Sequence, residues 1–402
     1  MKPADRDRHL PGTATAVLAV AAGGAIANNY AMQPALPTIA RDFGSPVAAI
    51  TTVASAAMTG YLLGLVLLVP LADRISPRLL IPGQMVILAL LLMLAASAPG
   101  PAVLTGCFVL IGVMTTVAAQ SSAVVGRYAR PDQRAHSMAT ISAGISAGLL
   151  LSRFVGGVLT QWLGWRDALL VFSGFMLLIA LCALPLLPAD RPAMQGRSYF
   201  AALRTLPVLL RQSAYLRRST ATGMLWFFAF NLIWVGLAIR LAAPPYNLTA
   251  QGIGLFSLAG ILGLFVTRIA GKLADRFGTR AVITIGLIAA AVSSLSLTVV
   301  LGHPVWTAIA LAVFDAGCFA AQVANQASIV AIDPARSGVL NAAYLTLYYT
   351  AGAVGSAIAG MVAIEAGWTA ITLASTAAVT MAIITACAGG FCGETMGGDI
   401  RQ

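Results

Sequence analysis

The chain has 402 residues, 59% of them hydrophobic and only 9% charged, with a net charge of +11. A soluble globular protein devotes about 25% of its residues to charge. A chain with a mean hydropathy of +0.88 lacks the polar surface that water requires, which excludes the soluble class and leaves an all-α integral membrane protein. The basic excess is no nucleic-acid signature, because Lys and Arg cluster in short segments between apolar runs, where membrane topology places them.

At about 20 apolar residues per spanning helix, twelve spans fit, at approximately 13–36, 47–71, 79–97, 102–125, 138–162, 167–187, 219–241, 249–273, 281–300, 304–331, 338–363 and 368–389. Ahead of the first, Lys2, Arg6 and Arg8 precede an apolar run and Ala25-Ile26-Ala27, which imitates a secretory signal. Cleavage there would remove the partner of a helix that the second half retains, so the run is read as an uncleaved first span. The spans group as a six-helix bundle over 1–187, a basic linker over 188–218 and a second bundle over 219–402. The linker carries Arg191, Arg197, Arg204, Arg211, Arg217 and Arg218 among apolar residues. That pattern fits a surface-lying amphipathic helix, topological or regulatory.

Orientation follows from the basic residues. With the N-terminus inside, the inner segments hold 19 of the 24 Lys and Arg, so both termini and the linker are expected in the cytoplasm. The halves are also related in sequence. Leu71-Ala72-Asp73-Arg74 returns as Leu273-Ala274-Asp275-Arg276, 202 residues later, each followed by an arginine, Arg78 and Arg280. The same offset pairs Asn29 with Asn231, Ser55 with Ser257 and Gln120 with Gln322, and one residue of slippage pairs Gly164-Trp165 with Gly367-Trp368. Six spans per copy return the chain to the same side, giving two parallel repeats, the arrangement of transporter halves that rock about a central site.

With these residues in view, the chain resembles the major facilitator superfamily over essentially its whole length. Gly271-Lys-Leu-Ala-Asp275-Arg276-Phe-Gly278-Thr-Arg280 is close to that family's cytoplasmic signature, while Pro70 and Ser76-Pro77 depart from it in the first copy. Asn29-Tyr30-Ala-Met-Gln33-Pro34, Asp315-Ala-Gly317, Asn325-Gln326 and Asp333-Pro-Ala-Arg336 resemble bacterial drug and metabolite efflux transporters. Gly148-Leu-Leu-Leu-Ser152-Arg153-Phe-Val-Gly156-Gly157 is similar to the glycine-rich motif of proton-driven antiporters, with Ser-Arg where many members have Gly-Pro. The resemblance implies the major facilitator fold and proton-coupled export of drugs, siderophores or other metabolites by alternating access. The same fold also serves importers and sugar or metabolite facilitators, and a non-transporting membrane sensor is a remote alternative.

Asp315 is the only acid deep within any span, about 16 Å into the tenth, and Arg153 lies at a similar depth in the fifth. An ionisable residue there is a functional candidate by default. The two serve proton coupling or substrate recognition, or form a permanent ion pair. Arg268, near the inner end of span eight, snorkels to water or contacts substrate. Asn29, Tyr30, Gln33, Gln120, Asn325, Gln326 and Tyr344 are the candidate substrate contacts, or else stitch helices together. Trp226 and Trp234 pack or stack on an aromatic substrate. Gly144, Gly148 and Gly156 share one helix face, where a neighbouring helix approaches closely. By resemblance, Asp73, Arg74, Arg78, Asp275, Arg276 and Arg280 form a cytoplasmic gate; the bland reading is topology anchoring.

No nucleophile–base pair, metal-ligand spacing or phosphate loop is legible in the sequence, so no enzyme is expected. The five scattered cysteines, mostly inside apolar runs, suggest membrane-buried thiols rather than a disulfide framework or a zinc site. The expected partners are a small-molecule substrate, protons and the lipid bilayer, with no nucleic acid and a monomeric state. The expected energy source is the proton gradient, with no cofactor, and the expected location is the bacterial inner membrane.

Overall fold

The computed structural model describes residues 10–130, 132–190, 211, 213–332 and 337–388; at Asp73, Arg268, Asp275 and a few neighbours only the backbone is described. The N-terminal tail, most of the basic linker and Arg336 lie outside these residues. The described chain is helical throughout: α1 Gly12–Ala27, α2 Leu36–Asp42, α3 Val47–Leu67, α4 Pro77–Ala96, α5 Pro101–Met114, α6 Val117–Tyr128, α7 Arg134–Leu163, α8 Trp165–Leu186, α9 Ala214–Ala242, α10 Ala250–Leu255, α11 Ile261–Phe277, α12 Thr279–Val300, α13 Pro304–Ala331, α14 Ser337–Glu365 and α15 Gly367–Cys387. Lipid offers no hydrogen-bond partner, so each spanning segment must satisfy its own backbone. Ten described helical stretches are long and apolar enough to cross a membrane, and α1 is a shorter apolar helix. Every one of the twelve predicted spans falls on helix.

Helix boundaries follow local chemistry. Proline opens α4, α5 and α13, where its missing N–H costs nothing and its φ suits the first turn. Gly164 and Gly367 close the tight connections α7–α8 and α14–α15 with φ of +87° and +76°. Glycine enters that region without a Cβ penalty. These are the two glycines of the repeated Gly-Trp pair.

Several spans are interrupted, a feature absent from the predicted continuous runs. The first stops at Ala27, passes through turns and a 3-10 stretch at Gln33–Ala35, and resumes as α2. Pro34 and Pro37 lack N–H donors, and their rings collide with the carbonyls of residues 30 and 33 in a continuous helix. The second span ends in a 3-10 stretch, Val69–Asp73, containing Pro70. The fourth breaks between α5 and α6, where Thr115 and Thr116 turn their hydroxyls onto the carbonyls of Gly112 and Val113. Such local bonds compete with the helical ladder. The eighth divides into α10, a 3-10 stretch at Phe256–Gly260, and α11.

Contacts divide the chain into two units: Met1–Gly196, Trp234–Ile261 and Ser356–Gly367 form one, and Arg197–Ile233, Leu262–Gly355 and Trp368–Gln402 form the other. In the first, α1 lies directly on α7. A Cβ on Gly148 would sit 2.0 Å from the Gly23 carbonyl oxygen, and one on Gly144 would sit 2.3 Å from that of Ala19. Gly156 meets the Ala31 carbonyl in the same way, at 1.9 Å. The predicted glycine face is therefore a seam of backbone against backbone. In the second unit, Gly286 of α12 and Gly317 of α13 approach each other equally closely, 2.3–2.6 Å from added Cβ to facing carbonyl. Large apolar residues such as Leu90, Leu181, Ile285 and Val299 point outward, as a lipid-facing surface requires.

Outside the apolar core, Asp42 ties the end of α2 to the start of α8. It accepts from Trp165 Nε1 at 3.0 Å and pairs with Arg166, whose guanidinium lies 4.2 Å from the Trp165 ring centroid. The hydrogen bonds from Arg166 and then Trp165 hold the Asp42 carboxyl below its ordinary range.

Two outcomes follow. Gly148→Ala forces two backbones apart and is expected to cost about 1–3 kcal/mol, typical of overpacking, seen as a lower unfolding midpoint in detergent. Gly106→Ala, with nothing within 4 Å of the added Cβ, leaves the midpoint unchanged or raises it. Because the Asp42 carboxyl is depressed on folding, its contribution is present above the ordinary carboxylate pKa and fades as pH falls through the folded value. The midpoint difference between wild type and Asp42→Asn should be small, since both partners are over 40% exposed, be clearest near pH 7, and vanish toward pH 3.

Candidate functional site

In the first unit, the break in the first span presents Tyr30 and Gln33 to α7. Residues 28–35 are all buried, so this non-helical backbone sits inside protein rather than in lipid, the only setting in which it is tolerated at membrane depth. Arg153, 1% exposed, donates through Nε to Gln33 Oε1 at 2.8 Å. Its guanidinium carbon lies 4.8 Å from the Tyr30 ring centroid and 4.6 Å from that of Trp234. A desolvated cation over an aromatic face gains about 2 kcal/mol or more, so the two rings offset part of the cost of burying the charge. Tyr30, Gln33 and Arg153 were each candidates from sequence, and the structure brings them together. The role of Trp234 as a partner of the arginine was missed, because nothing in the spacing links residue 153 to residue 234.

Other candidate amides repair the helix breaks. Asn29 Nδ2 donates to Thr115 Oγ1 at 3.0 Å, joining the two interrupted spans. Gln120 Nε2 donates at 3.1 Å to the carbonyl of Leu68 just beyond the end of α3, which also accepts the Leu71 N–H. Arg127, which sequence reasoning did not single out, donates to the Ala72 carbonyl in the same interrupted segment at 3.3 Å. The only advance signal for Arg127 was its place at the inner end of span four.

In the second unit, Asp315 is fully buried, the twelfth residue of the 28-residue α13. At 1.5 Å per residue this is about 17 Å from the helix start, close to the middle of a bilayer core. Asn325, one and a half turns from the inner end of α13, donates to the Ser219 carbonyl at 2.8 Å. Gln326 Nε2 donates to Asn341 at 2.8 Å, and the Tyr344 hydroxyl donates to Gln322. An aromatic cluster lies on α9, α13 and α14. Phe227 stacks on Tyr348 at 3.8 Å between centroids, Trp226 lies 5.3 Å from Tyr348, and Phe230 stacks on Phe314 at 6.3 Å. Trp226 Nε1 is buried without a hydrogen-bond partner among the described residues.

Arg153 and Asp315 belong to different units. An apolar groove of about 640 Å³ between α11, α12 and α13 is lined by Ile269, Leu273, Phe277, Ile285 and Val313 among others and offers no polar group to the site.

Of the loop residues, Arg74, Arg78, Arg276 and Arg280 are exposed. Arg78 donates its backbone N–H to the Pro188 carbonyl at 3.1 Å. Arg280 donates to the Cys387 carbonyl and Arg218 to that of Ala388, the latter at 2.8 Å. Both therefore cap the open carbonyl end of α15, where cations are favoured. The side chains of Asp73, Asp275 and Arg268 lie outside the described residues.

Comparison with known proteins accords with this architecture. The Major Facilitator Superfamily pattern matches residues 18–356 and 246–391. The chain is 33% identical over 360 residues to a protein named Uncharacterized transporter YgaY of Escherichia coli O157:H7, covering 89% of this chain and 91% of that one. It is 27% identical over 301 residues to the Gentisate transporter of Corynebacterium glutamicum, covering 69% and 64% of the two chains. A crystal structure of a mutant of the nucleoside transporter NupG superposes with a TM-score of 0.76 over 93% of this chain and 99% of that one, at 12% identity, which speaks to fold alone. An all-helical chain of membrane-length segments that matches this pattern over nearly its whole length, and a transporter relative over 89% of it, belongs to the Major Facilitator Superfamily and is a multi-pass membrane transporter, not an enzyme.

Proposed function

We propose that the protein is a proton-coupled secondary active exporter of small organic compounds, working by alternating access in the bacterial inner membrane with both termini in the cytoplasm. The observation that carries the coupling is Asp315, a carboxyl buried completely near the middle of a spanning helix. A charge there is expensive unless paired, neutralised or hydrated, so a carboxyl that meets water from one side and then the other will exchange a proton as it does so. In this reading Asp315 carries the coupling proton. Asn29, Tyr30, Gln33, Gln120, Asn325, Gln326 and Tyr344, with Arg153, contribute to substrate recognition, and the repeated loops with Asp73, Arg74, Arg78, Asp275, Arg276 and Arg280 gate the cytoplasmic side.

The concentration of basic residues in the inner segments supports the orientation. The likeness of Gly148–Gly157 to antiporter motifs supports the export direction. The relative named as a gentisate transporter supports a small organic substrate. The protein acts as a monomer, with no cofactor beyond the proton gradient.

The test is reconstitution into proteoliposomes. Asp315→Asn is expected to keep substrate counterflow, which needs no gradient, while losing at least tenfold of the transport driven by an imposed pH gradient. Full gradient-driven transport by that variant would overturn the coupling role. Substrate-induced proton movement in the importing sense would reverse the direction.

A further inference from the structure

The apolar groove of the second unit lies on the surface that lipid covers. Every described residue that lines it is apolar, and Ile269, Leu273 and Phe277, recurring every fourth residue, form its α11 wall. These three, with Ile285 of α12 and Val313 of α13, are exposed. Small residues, Ala289, Ala316 and Gly317 among them, leave room for a volume of about 640 Å³. Along α11 the groove covers residues 266–277, about 17 Å at 1.5 Å per residue. One leaflet of a bilayer core is about 15 Å deep. On α13 the groove covers residues 312–320, the stretch that holds Asp315 near the middle of the core. The space therefore runs from the α11–α12 connection to the bilayer centre, the reach of one acyl chain.

Apolar walls alone would select nothing, because a lipid chain gains no transfer energy on leaving the bilayer for a groove of the same polarity. The end of the groove at the α11–α12 connection is different. Arg276 is exposed, and its guanidinium carbon lies 5.2 Å from the ring centroid of Phe277, the last groove residue of α11. Lys272, one turn earlier on the same stripe of the helix, is also exposed. Within residues 271–280 three basic residues stand against one acid, Asp275. Arg280 is turned to the end of α15, so the charge beside the groove is that of Arg276, with Lys272 behind it. Basic groups at the membrane surface next to an opening between spanning helices suit an anionic lipid headgroup.

We propose that this groove holds one acyl chain of an anionic diacyl phospholipid, whose phosphodiester pairs with Arg276 and Lys272. A guanidinium donates two parallel hydrogen bonds to a phosphate, and its contact with the Phe277 ring keeps it where headgroup and chain meet. A zwitterionic lipid brings the same phosphate together with an ammonium, which the local positive charge repels. The bound lipid ties α11 to α12 and α13 across a space that side chains leave open. The proposal needs only that the chain spans a membrane; transport direction, coupling and substrate do not enter it.

The experiment is native mass spectrometry of the purified full-length protein in detergent, titrated with dioleoyl phosphatidylglycerol and dioleoyl phosphatidylcholine, which share their chains and differ in headgroup. Wild type should take up one phosphatidylglycerol at least tenfold more tightly than phosphatidylcholine. Glycerophosphoglycerol, the same headgroup without chains, should not compete. Arg276→Gln should remove most of the preference and leave phosphatidylcholine binding unchanged. Ala289→Leu fills the groove with an apolar side chain that lipid tolerates, and should weaken phosphatidylglycerol binding at least tenfold. Ala102→Leu, the same change at an exposed position of α5, should have no effect. Where one variant loses its fold, the other and the wild-type headgroup comparison still decide.

Equal affinity for the two lipids, competition by the chainless headgroup, or unaltered phosphatidylglycerol binding in both groove variants would overturn the proposal, as would a lipid-free dimer that closes the groove. No substrate or gradient enters the assay, so a failure of the export reading leaves its result untouched.

Discussion

Hydrocarbon cannot accept or donate a hydrogen bond, and that single constraint organises this molecule. It makes every described element a helix and sends the hydroxyls of Thr140, Thr350, Thr376 and Thr380 back to carbonyls four residues earlier in their own helices. It also decides where the helices are allowed to stop. The interruption at residues 28–35 is wholly buried, and the first and second spans find replacement partners inside the protein. Asn28 Nδ2 returns to the Gly24 carbonyl at 2.8 Å, Gln120 reaches Leu68, and Arg127 reaches Ala72. Some of the polar residues of the spans thus serve the discontinuities themselves.

The same solvent removes the usual drive for helices to associate, since lipid tails are as apolar as leucine. Close packing takes its place. Gly23, Gly144, Gly148 and Gly156 let α1 and the turns beyond it lie against α7 with no side chain between. Gly286 and Gly317 do this for α12 and α13. A seam of this kind gives dispersion contact without interlocking side chains, so it holds a helix pair close and opposes sliding weakly. In a transporter, that combination permits movement without loss of the fold.

The sequence made the spans, the duplication and the glycine face readable, because each rests on local composition or a fixed offset. Gly164 and Gly367 were found as halves of a repeated Gly-Trp pair, and both adopt positive φ at a tight turn. The interruptions were less readable: Pro34, Pro37 and Pro70 were in plain view, yet mean hydropathy over a window does not register a missing N–H. Partnerships across the fold were not readable at all. Asn29 with Thr115, and Arg153 with Trp234, join residues whose separation follows no period. Asn29 and Asn325 bond within the protein, whereas Gln33 is half engaged, through its carbonyl only.

The duplication also explains where the two deeply buried charges can stand. The residue 202 places after Arg153 is Gly355, where even a Cβ would lie 2.5 Å from the Phe228 carbonyl oxygen. An arginine cannot occupy that position without prising α9 from α14. The residue 202 places before Asp315 is Val113, whose own carbonyl would lie 2.4 Å from a Cβ on Gly64. That stretch of α5 is committed, through its backbone, to close packing on α3. The second half has therefore spent on helix packing the position that the first uses for Arg153. That Arg153 stands in one unit alone is a departure from the repeat that the packing around Gly355 enforces.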